Sequence, residues 1–218
     1  MRNLHSNNGV ELISLNDIFD QYGSDKGSLK HNYGSVYEIY LHEFRNKSPN
    51  LLELGVLNGA SLRAWRTYIP NASIWGLDID PVVRERLLGE INIEVITGSQ
   101  SDDHVLGELV AAASPGFDIV IDDGSHVNAH IIASFSFLFP RLLPGGVYII
   151  EDLLESYHAD EEEMMSWAGM HLNSDLVAND RGALNKMFLE IIFDMDHIRG
   201  QVESIHFHTE LAIICKKG

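Results

Sequence analysis

The chain has 218 residues, 45% of them hydrophobic and 22% charged, and a formal net charge of −17 at pH 7. This acidic balance excludes a protein that binds nucleic acid by neutralising phosphates. The single cysteine, Cys215, excludes an internal disulfide framework and a cysteine-based zinc site. No apolar run approaches the roughly 20 residues of a transmembrane helix, and the first residues lack the pattern of a secretory signal. We therefore expect no membrane partner and a cytoplasmic location.

Apolar runs typical of strands alternate with helical patterns from residue 50 onwards. Strands are predicted at 50–56, 72–80, 93–98, 117–123 and 147–152, and helices at 59–69, 82–90, about 102–113 and 130–143. The runs at 202–208 and 211–217 predict a hairpin. Strands that alternate with helices indicate parallel pairing with right-handed crossovers. We predict one α/β domain over residues 1–218, with a doubly wound, mostly parallel seven-stranded sheet, helices on both faces and a C-terminal antiparallel hairpin.

Acidic residues fall at or near the carboxyl ends of the predicted strands. Ligands of parallel α/β sheets bind beyond that edge, so we expect these acids to surround one site. The residues concerned are Glu53, Asp78, Asp122, Asp123, Glu151 and Asp152.

The turn after the first strand, ELGVLNGAS, carries Gly55 and Gly59. Glycine lets a backbone approach a ligand closely, and the N-terminus of the following helix favours anionic groups. The spacing is neither GxGxxG nor GxxxxGK[ST], which disfavours a nicotinamide oxidoreductase and a P-loop protein. At the end of the second strand, Asp78 offers two oxygens to ribose hydroxyls, whereas Asp80 before Pro81 is typical of a helix cap.

Two polar side chains, Ser99 and Gln100, follow the third strand. A side-chain amide both donates and accepts hydrogen bonds, so Gln100 is predicted to contact an adenine edge. The alternative, in which this stretch only caps the next helix, stays open.

The stretches ELGVLNG, GLDID, GSQ, IDDGSH and YIIED resemble those of class I S-adenosylmethionine-dependent methyltransferases. More narrowly, the chain resembles the metal-dependent sugar O-methyltransferases of macrolide biosynthesis, of the mycinamicin and macrocin type, and the related cephalosporin hydroxylase group. The segment QYGSDKGSLKHNYGSVYEIYL strengthens the resemblance, which runs from about residue 18 to about 155 and is weak from there to 200. It implies S-adenosylmethionine as cofactor and an even-numbered homo-oligomer.

The resemblance also implies roles for the flanking segments. Residues 1–48 are expected to form a helical cap over the cofactor, with Lys26 beside its methionine carboxylate and Tyr33 and Tyr37 nearby; a charged surface turn around Lys26 is the alternative. Residues 155–200 are expected to form an insertion that caps the acceptor. The implied cofactor-binding residues are Lys26, Glu53, Gly55, Gly59, Ser61, Asp78, Ser99, Gln100 and Asp122.

The acids that end the fourth and fifth strands predict a metal site. Adjacent strands lie about 5 Å apart, so Asp123, Glu151 and Asp152 can reach one cation, and oxygen ligands suit Mg²⁺ or another divalent cation. The same cation is expected to compensate the adjacent charges of Asp122 and Asp123. Two points stay open. Asp122 is either a further metal ligand or points toward the cofactor. Glu151 either binds the cation or only orients another ligand.

His126, three residues after Asp123, is the predicted general base. Imidazole has an unperturbed pKa of about 6.5, and a divalent cation lowers the pKa of a bound hydroxyl. Catechol O-methyltransferase is similar in layout but has a lysine at this place. The macrolide sugar enzymes have a histidine, so the resemblance implies the sugar branch. The alternating pair His206 and His208 is a further metal candidate, for which a purely structural hairpin role is the simpler interpretation.

The sequence thus predicts an O-methyltransferase that uses S-adenosylmethionine and Mg²⁺. The expected acceptor is a small molecule with neighbouring hydroxyls, such as a sugar of a glycosylated natural product. The alternatives are catechol-type methylation of a phenol and a non-catalytic S-adenosylmethionine-binding protein.

Overall fold

The computed structural model describes residues 13–157 and 181–218, and within these ranges it contains seven strands and seven α-helices. The strands are β1 (Asn50–Leu54), β2 (Ser73–Asp78), β3 (Ile93–Thr97), β4 (Ile119–Asp122), β5 (Val147–Ile150), β6 (Val202–His208) and β7 (Leu211–Lys216). The helices are α1 (Leu15–Tyr22), α2 (Gly34–Leu41), α3 (Ala60–Tyr68), α4 (Pro81–Leu87), α5 (Asp103–Ala112), α6 (Asn128–Leu138) and α7 (Arg181–Asp196). Among the described residues, no helix combines the length and the hydrophobicity that a membrane span needs.

The strands form one sheet in the order β3-β2-β1-β4-β5-β7-β6. The first five are parallel, and β7 runs antiparallel to both β5 and β6. The strand order reverses between β1 and β4, which is where ligands of such sheets bind. The register pairs Leu54 with Asp122 and Asp122 with Ile150. The residues just beyond β1, β4 and β5 therefore meet at one edge, and the predicted fold is confirmed.

Side chains of each strand alternate between the two faces of the sheet, and helices cover both faces. Helices α1 to α4 pack over the first face, which contains Leu51 and Ile121. Helices α5 to α7 pack over the second face, which contains Leu52 and Val120. Because the buried strands are apolar on both faces, the sequence shows them as continuous hydrophobic runs.

Aromatic packing attaches the N-terminal helices to the sheet. Trp65 of α3 is fully buried, and its ring lies 4.9 Å from that of Phe19 in α1 and 5.0 Å from that of Tyr37 in α2. Helix α1 ends at Gly23, whose φ of 70° is the left-handed conformation that glycine adopts without strain. This packing carries the segment 24–33 across the carboxyl edge of the sheet.

The predicted substrate cap, 155–200, lies only partly within the described residues. Residues 181–196 form α7, in which Leu184 and Phe188 are buried in the core on the second face. Since α7 contributes to the core of the domain, the cap prediction now concerns the rest of the segment. Residues 158–180 lie outside the described ranges, so the cap stays a prediction.

Candidate active site

The glycine turn after β1 contacts the loop after β4. Gly55 has a φ of 83°, and a Cβ atom there would clash with the backbone carbonyl oxygen of Asp123. Gly59 has a φ of 79° and immediately precedes α3. The left-handed φ values favour glycine at both positions, and the clash at Gly55 excludes a side chain there, at the point where the strand order reverses.

Asp78 at the end of β2 holds this turn in place. Its Oδ2 accepts hydrogen bonds from the backbone N–H groups of Val56, at 2.9 Å, and Leu57, at 3.0 Å. Its Oδ1 accepts one from the N–H of Asp80, at 2.9 Å. A carboxylate has about four lone-pair sites, so Oδ1 keeps one for a ribose hydroxyl. Asp80 is the N-cap of α4, as predicted.

Asp122 faces the second side of the sheet and is only 2% exposed. Its carboxylate accepts hydrogen bonds from Gln100 at 2.8 Å, Ser134 at 2.5 Å and Tyr148 at 2.9 Å. Burial raises the pKa of Asp122, although these hydrogen bonds oppose the shift. Uncharged donors thus compensate Asp122, and the expectation that one cation lies between Asp122 and Asp123 is wrong.

Gln100 links Asp122 to the loop after β4. Its Nε2 donates to Asp122, and its Oε1 accepts from the backbone N–H of Ser125 at 2.8 Å. A side chain at Gly124 would clash with the same oxygen. The predicted adenine contact of Gln100 stays a prediction, but the amide would have to leave these partners to make it. Ser99 is half-buried and bonds to Ser101.

Lys26 lies on the buried side of the acids of the first face and is 2% exposed. Its ammonium donates to Asp123 and, at 2.9 Å, to Oε2 of Glu151, and it lies 3.7 Å from Oε1 of Glu53. Burial lowers the pKa of Lys26, but the attraction of the three carboxylates outweighs burial and raises it well above its usual range. Lys26 is therefore a buried cation, and the alternative of an exposed surface turn is wrong for its side chain.

Glu53 and Glu151 are each 1% exposed and have further donors. Glu53 accepts from Nε1 of Trp65 at 2.8 Å. Burial raises its pKa to about 7, against the opposing effects of Lys26 and of hydrogen bonds from Ser61 and Trp65. Oε1 of Glu151 accepts from the hydroxyl of Tyr37. Burial also raises the pKa of Tyr37, so its hydroxyl keeps the proton that it donates.

On the solvent side of these acids, Asp123, His126 and Asp152 each place a ligand atom within 4.8 Å of the other two. Nε2 of His126 lies 3.9 Å from Oδ2 of Asp152, and the three side chains are 19% to 26% exposed. His126 and Asp152 have φ values of 56° and 52°, a conformation that is uncommon for such residues and often occurs at functional sites. Two carboxylates and an imidazole are a donor set that fits a divalent cation.

Sequence reasoning missed a second group around Asp152. Tyr33 donates to Oδ1 of Asp152 at 2.6 Å and lies 3.1 Å from Oε2 of Glu210. Nδ1 of His31 is 3.4 Å from the same oxygen of Glu210. Because β7 is antiparallel to β5 and to β6, the turn from β6 to β7 lies at the carboxyl edge of the sheet. This topology could have pointed to Glu210.

The pair His206 and His208 has structural contacts. Nε2 of His208 is 2.9 Å from the hydroxyl of Tyr40, and Nε2 of His206 is 2.9 Å from that of Ser204. Neither histidine belongs to the groups of possible metal ligands found among the described residues. This agrees with the simpler interpretation of the pair.

The structure thus sorts the predicted site residues into three places. The largest group lies on the first face and consists of Lys26, Glu53, Asp123, His126, Glu151 and Asp152, with Ser61 beside Glu53. Gly55 and Gly59 lie in the glycine turn, and Asp78 at the end of β2 bonds to that turn. Asp122 and Gln100 lie together on the second face, and Ser99 precedes Gln100 in the loop after β3.

The sheet order, the glycine turn and the acids at the carboxyl edge define the fold of class I S-adenosylmethionine-dependent methyltransferases. The chain is 39% identical over 163 residues to the 8-demethyl-8-alpha-L-rhamnosyl tetracenomycin-C 2'-O-methyltransferase of Streptomyces olivaceus, covering 72% of this chain and 42% of that protein. It is 37% identical over 156 residues to the mycinamicin VI 2''-O-methyltransferase of Micromonospora griseorubida, covering 68% and 38%. No family model matches the chain.

The solved structure of the MycE methyltransferase from the mycinamycin biosynthetic pathway, in complex with Mg, SAH and mycinamycin VI, has a TM-score of 0.74. Its sequence identity is 30%, and the match covers 94% of this chain and 55% of that chain. The chain is therefore a homologue of these natural-product sugar O-methyltransferases. It spans about two fifths of the length of the curated relatives it matches.

Proposed function

We propose that this chain is an O-methyltransferase that transfers the methyl group of S-adenosylmethionine to a sugar hydroxyl of a small molecule, with Mg²⁺ or another divalent cation. The group of Asp123, His126 and Asp152 beside the glycine turn carries the proposal, because it combines cation ligands with a base at the cofactor edge. The homology supports it, since the relatives are named O-methyltransferases and the MycE complex contains Mg and SAH.

Asp123, Glu151 and Asp152 are the proposed metal ligands. Asp123 and Asp152 present oxygens from the partly exposed side, and Glu151 supports them from the buried side. When bound, the cation lowers the pKa of an acceptor hydroxyl and the cofactor supplies the methyl group. Ligand residues at two neighbouring strand ends also suit an acceptor with adjacent hydroxyls, because hard cations retain positions for further oxygens.

His126 is the proposed general base. Its imidazole accepts the hydroxyl proton, and the carboxylate of Asp152, 3.9 Å from Nε2, stabilises the resulting charge. The side chain is 26% exposed, so the proton can pass on to water.

The glycine turn and Asp78 are the proposed core of the cofactor site. Backbone at Gly55 and Gly59 comes close to the ligand, and the free lone pair on Oδ1 of Asp78 accepts from one ribose hydroxyl. Helix α3 points its N-terminus at the same place.

A sugar acceptor is preferred over a catechol because relatives are named for rhamnosyl tetracenomycin and mycinamicin VI substrates. Neighbouring hydroxyls on the acceptor, a homo-oligomer, the absence of nucleic-acid partners and a cytoplasmic location stay predictions.

Methyl transfer from isotopically labelled S-adenosylmethionine tests the proposal. The purified chain is incubated with Mg²⁺ and a panel of deoxysugar glycosides with adjacent hydroxyls, with catechol as the competing acceptor. Mg²⁺-dependent labelling of a glycoside is expected. Labelling of catechol alone would favour the phenolic enzyme. Cofactor binding with no Mg²⁺ signal by calorimetry and no labelled product would favour a non-catalytic binding protein.

A further inference from the structure

We propose that Lys26 is a positioning residue for the metal ligands, a fixed counter-charge that holds Asp123 and Glu151 in place, and that it does not bind the methionine carboxylate. This inference rests on the proposed function, since it concerns the same cation site. It replaces the role that the resemblance implies for Lys26.

The contacts of the ammonium carry the inference. Lys26 faces carboxylates from three neighbouring strands: Glu53 on β1, Asp123 after β4 and Glu151 after β5. The ammonium donates hydrogen bonds to Asp123 and Glu151, and Glu53 lies 3.7 Å away, within ion-pair distance. A cofactor carboxylate at the same place would bring a further acid to an ammonium that already pairs with Asp123 and Glu151, and burying an additional negative charge there is costly.

Lys26 and Tyr37 together fix both oxygens of Glu151. Lys26 donates to Oε2 at 2.9 Å, and the hydroxyl of Tyr37 donates to Oε1. Both residues come from the N-terminal segment, so that segment sets the orientation of a ligand on β5. Lys26 also contacts the carboxylate of Asp123. Since Lys26 is 2% exposed and Asp123 is 19% exposed, this contact is on the buried side of the Asp123 carboxylate.

The backbone around Lys26 is itself well anchored. The carbonyl of Lys26 accepts from the N–H of Tyr33 at 2.9 Å, and the N–H of Asn32 donates to the carbonyl of Gly27 at 2.8 Å. A side chain at Gly27 would clash with Asp20 of α1. The fold thus fixes the position of the ammonium. Lys26 contacts the metal ligands from the buried side, while a divalent cation contacts them from the exposed side.

Binding measurements on Lys26→Met separate the two roles. Affinities for S-adenosylmethionine and for decarboxylated S-adenosylmethionine are measured by calorimetry in EDTA, and affinity for Mn²⁺ is measured by electron paramagnetic resonance without cofactor. Residues that orient metal ligands typically contribute 10- to 100-fold to metal affinity. We expect Mn²⁺ to bind at least about tenfold more weakly, while the preference for the carboxylated cofactor stays within about threefold of wild type. Lys30→Met, at a position that is 54% exposed in the same segment, is the matched control.

The proposal is overturned if Lys26→Met loses the preference for the carboxylated cofactor, or if it binds Mn²⁺ as wild type does. If the variant does not fold, nitrogen-15 spectra of the lysine ammonium in the wild-type protein replace it. The Lys26 signal should then move on addition of Mg²⁺ and not on addition of SAH, and the reverse result overturns the proposal. Failure of the wild-type protein to bind either Mn²⁺ or cofactor would instead contradict the proposed function.

Discussion

Asp122 and Asp123 are adjacent in the chain, yet their carboxylates lie on opposite faces of the sheet. Asp122 accepts from Ser134 of α6, whereas Asp123 pairs with Lys26 from the N-terminal segment. The alternation of side chains along an extended strand produces this separation. The two charges therefore have different neighbours and different expected effects on the protein.

Because the two carboxylates are separated, we expect different effects from replacing each of them by asparagine. Asp123→Asn should weaken Mg²⁺ binding at least about tenfold, because an amide oxygen carries no charge to offer the cation. Asp122→Asn should leave Mg²⁺ affinity within about threefold of wild type but lower the free energy of unfolding by about 2 kcal/mol, since its buried donors lose an acceptor. Calorimetric titration and urea denaturation measure the two effects. Equal losses of Mg²⁺ affinity in both variants would contradict the assignment of the two faces.

His126→Ala should lower kcat by about 10²- to 10⁴-fold, the usual contribution of a general base. Cofactor affinity should be unchanged, because the ring lies among the acids after β4 and β5 and not at the glycine turn. Steady-state kinetics with the accepted glycoside, together with calorimetry, check both statements. His104→Ala, at a side chain that is 81% exposed, is the control. Turnover that survives in His126→Ala would exclude the imidazole as the base.

Gly55→Ala should be far more harmful than Gly89→Ala. Both glycines have left-handed φ values, 83° and 89°, but a Cβ at Gly55 would clash with the carbonyl of Asp123, whereas Gly89 has open space. The backbone strain common to both costs about 1 kcal/mol. We expect Gly89→Ala to show only that loss, and Gly55→Ala to lose more than about 3 kcal/mol or to displace the loop after β4. Thermal unfolding and cofactor titration measure the difference, and similar losses in both variants would count against the tight contact.

Glu53 should make the folded state less stable as the pH rises from about 4.5 to 7. Burial raises its folded pKa to about 7, so in this window the folded state holds a proton that the unfolded state has released. The free energy of unfolding therefore falls with increasing pH, by up to about 3 kcal/mol for this group.

Urea denaturation of Glu53→Gln in EDTA between pH 4.5 and 8 tests this effect, because the amide cannot titrate. The decrease in stability with pH should become smaller than in wild type. Glu94→Gln, at an exposed position, should retain the wild-type slope. An unchanged slope in Glu53→Gln would show that the buried carboxyl does not titrate in this range.

Much of the fold follows from local pattern. The predicted strand 93–98 is observed as Ile93–Thr97, and the predicted helix 59–69 as Ala60–Tyr68, because hydrophobic period and glycine turns are properties of neighbouring residues. Asp80 before Pro81 caps a helix for the same reason. The gathering of acids at one edge also followed from sequence, since parallel strands all end on the same side.

The partners of those acids depend on tertiary structure. Lys26 is 97 residues from Asp123 and 125 from Glu151 in the chain, and the two meet it only because α1 and α2 pack on α3. Glu210 reaches Asp152 through Tyr33 because β7 lies antiparallel beside β5. Local sequence is enough to show which strands end in carboxylates. Only tertiary packing placed the ammonium of Lys26 beside Asp123 and Glu151 and the imidazole of His126 beside Asp152, because no local period encodes contacts between segments so far apart.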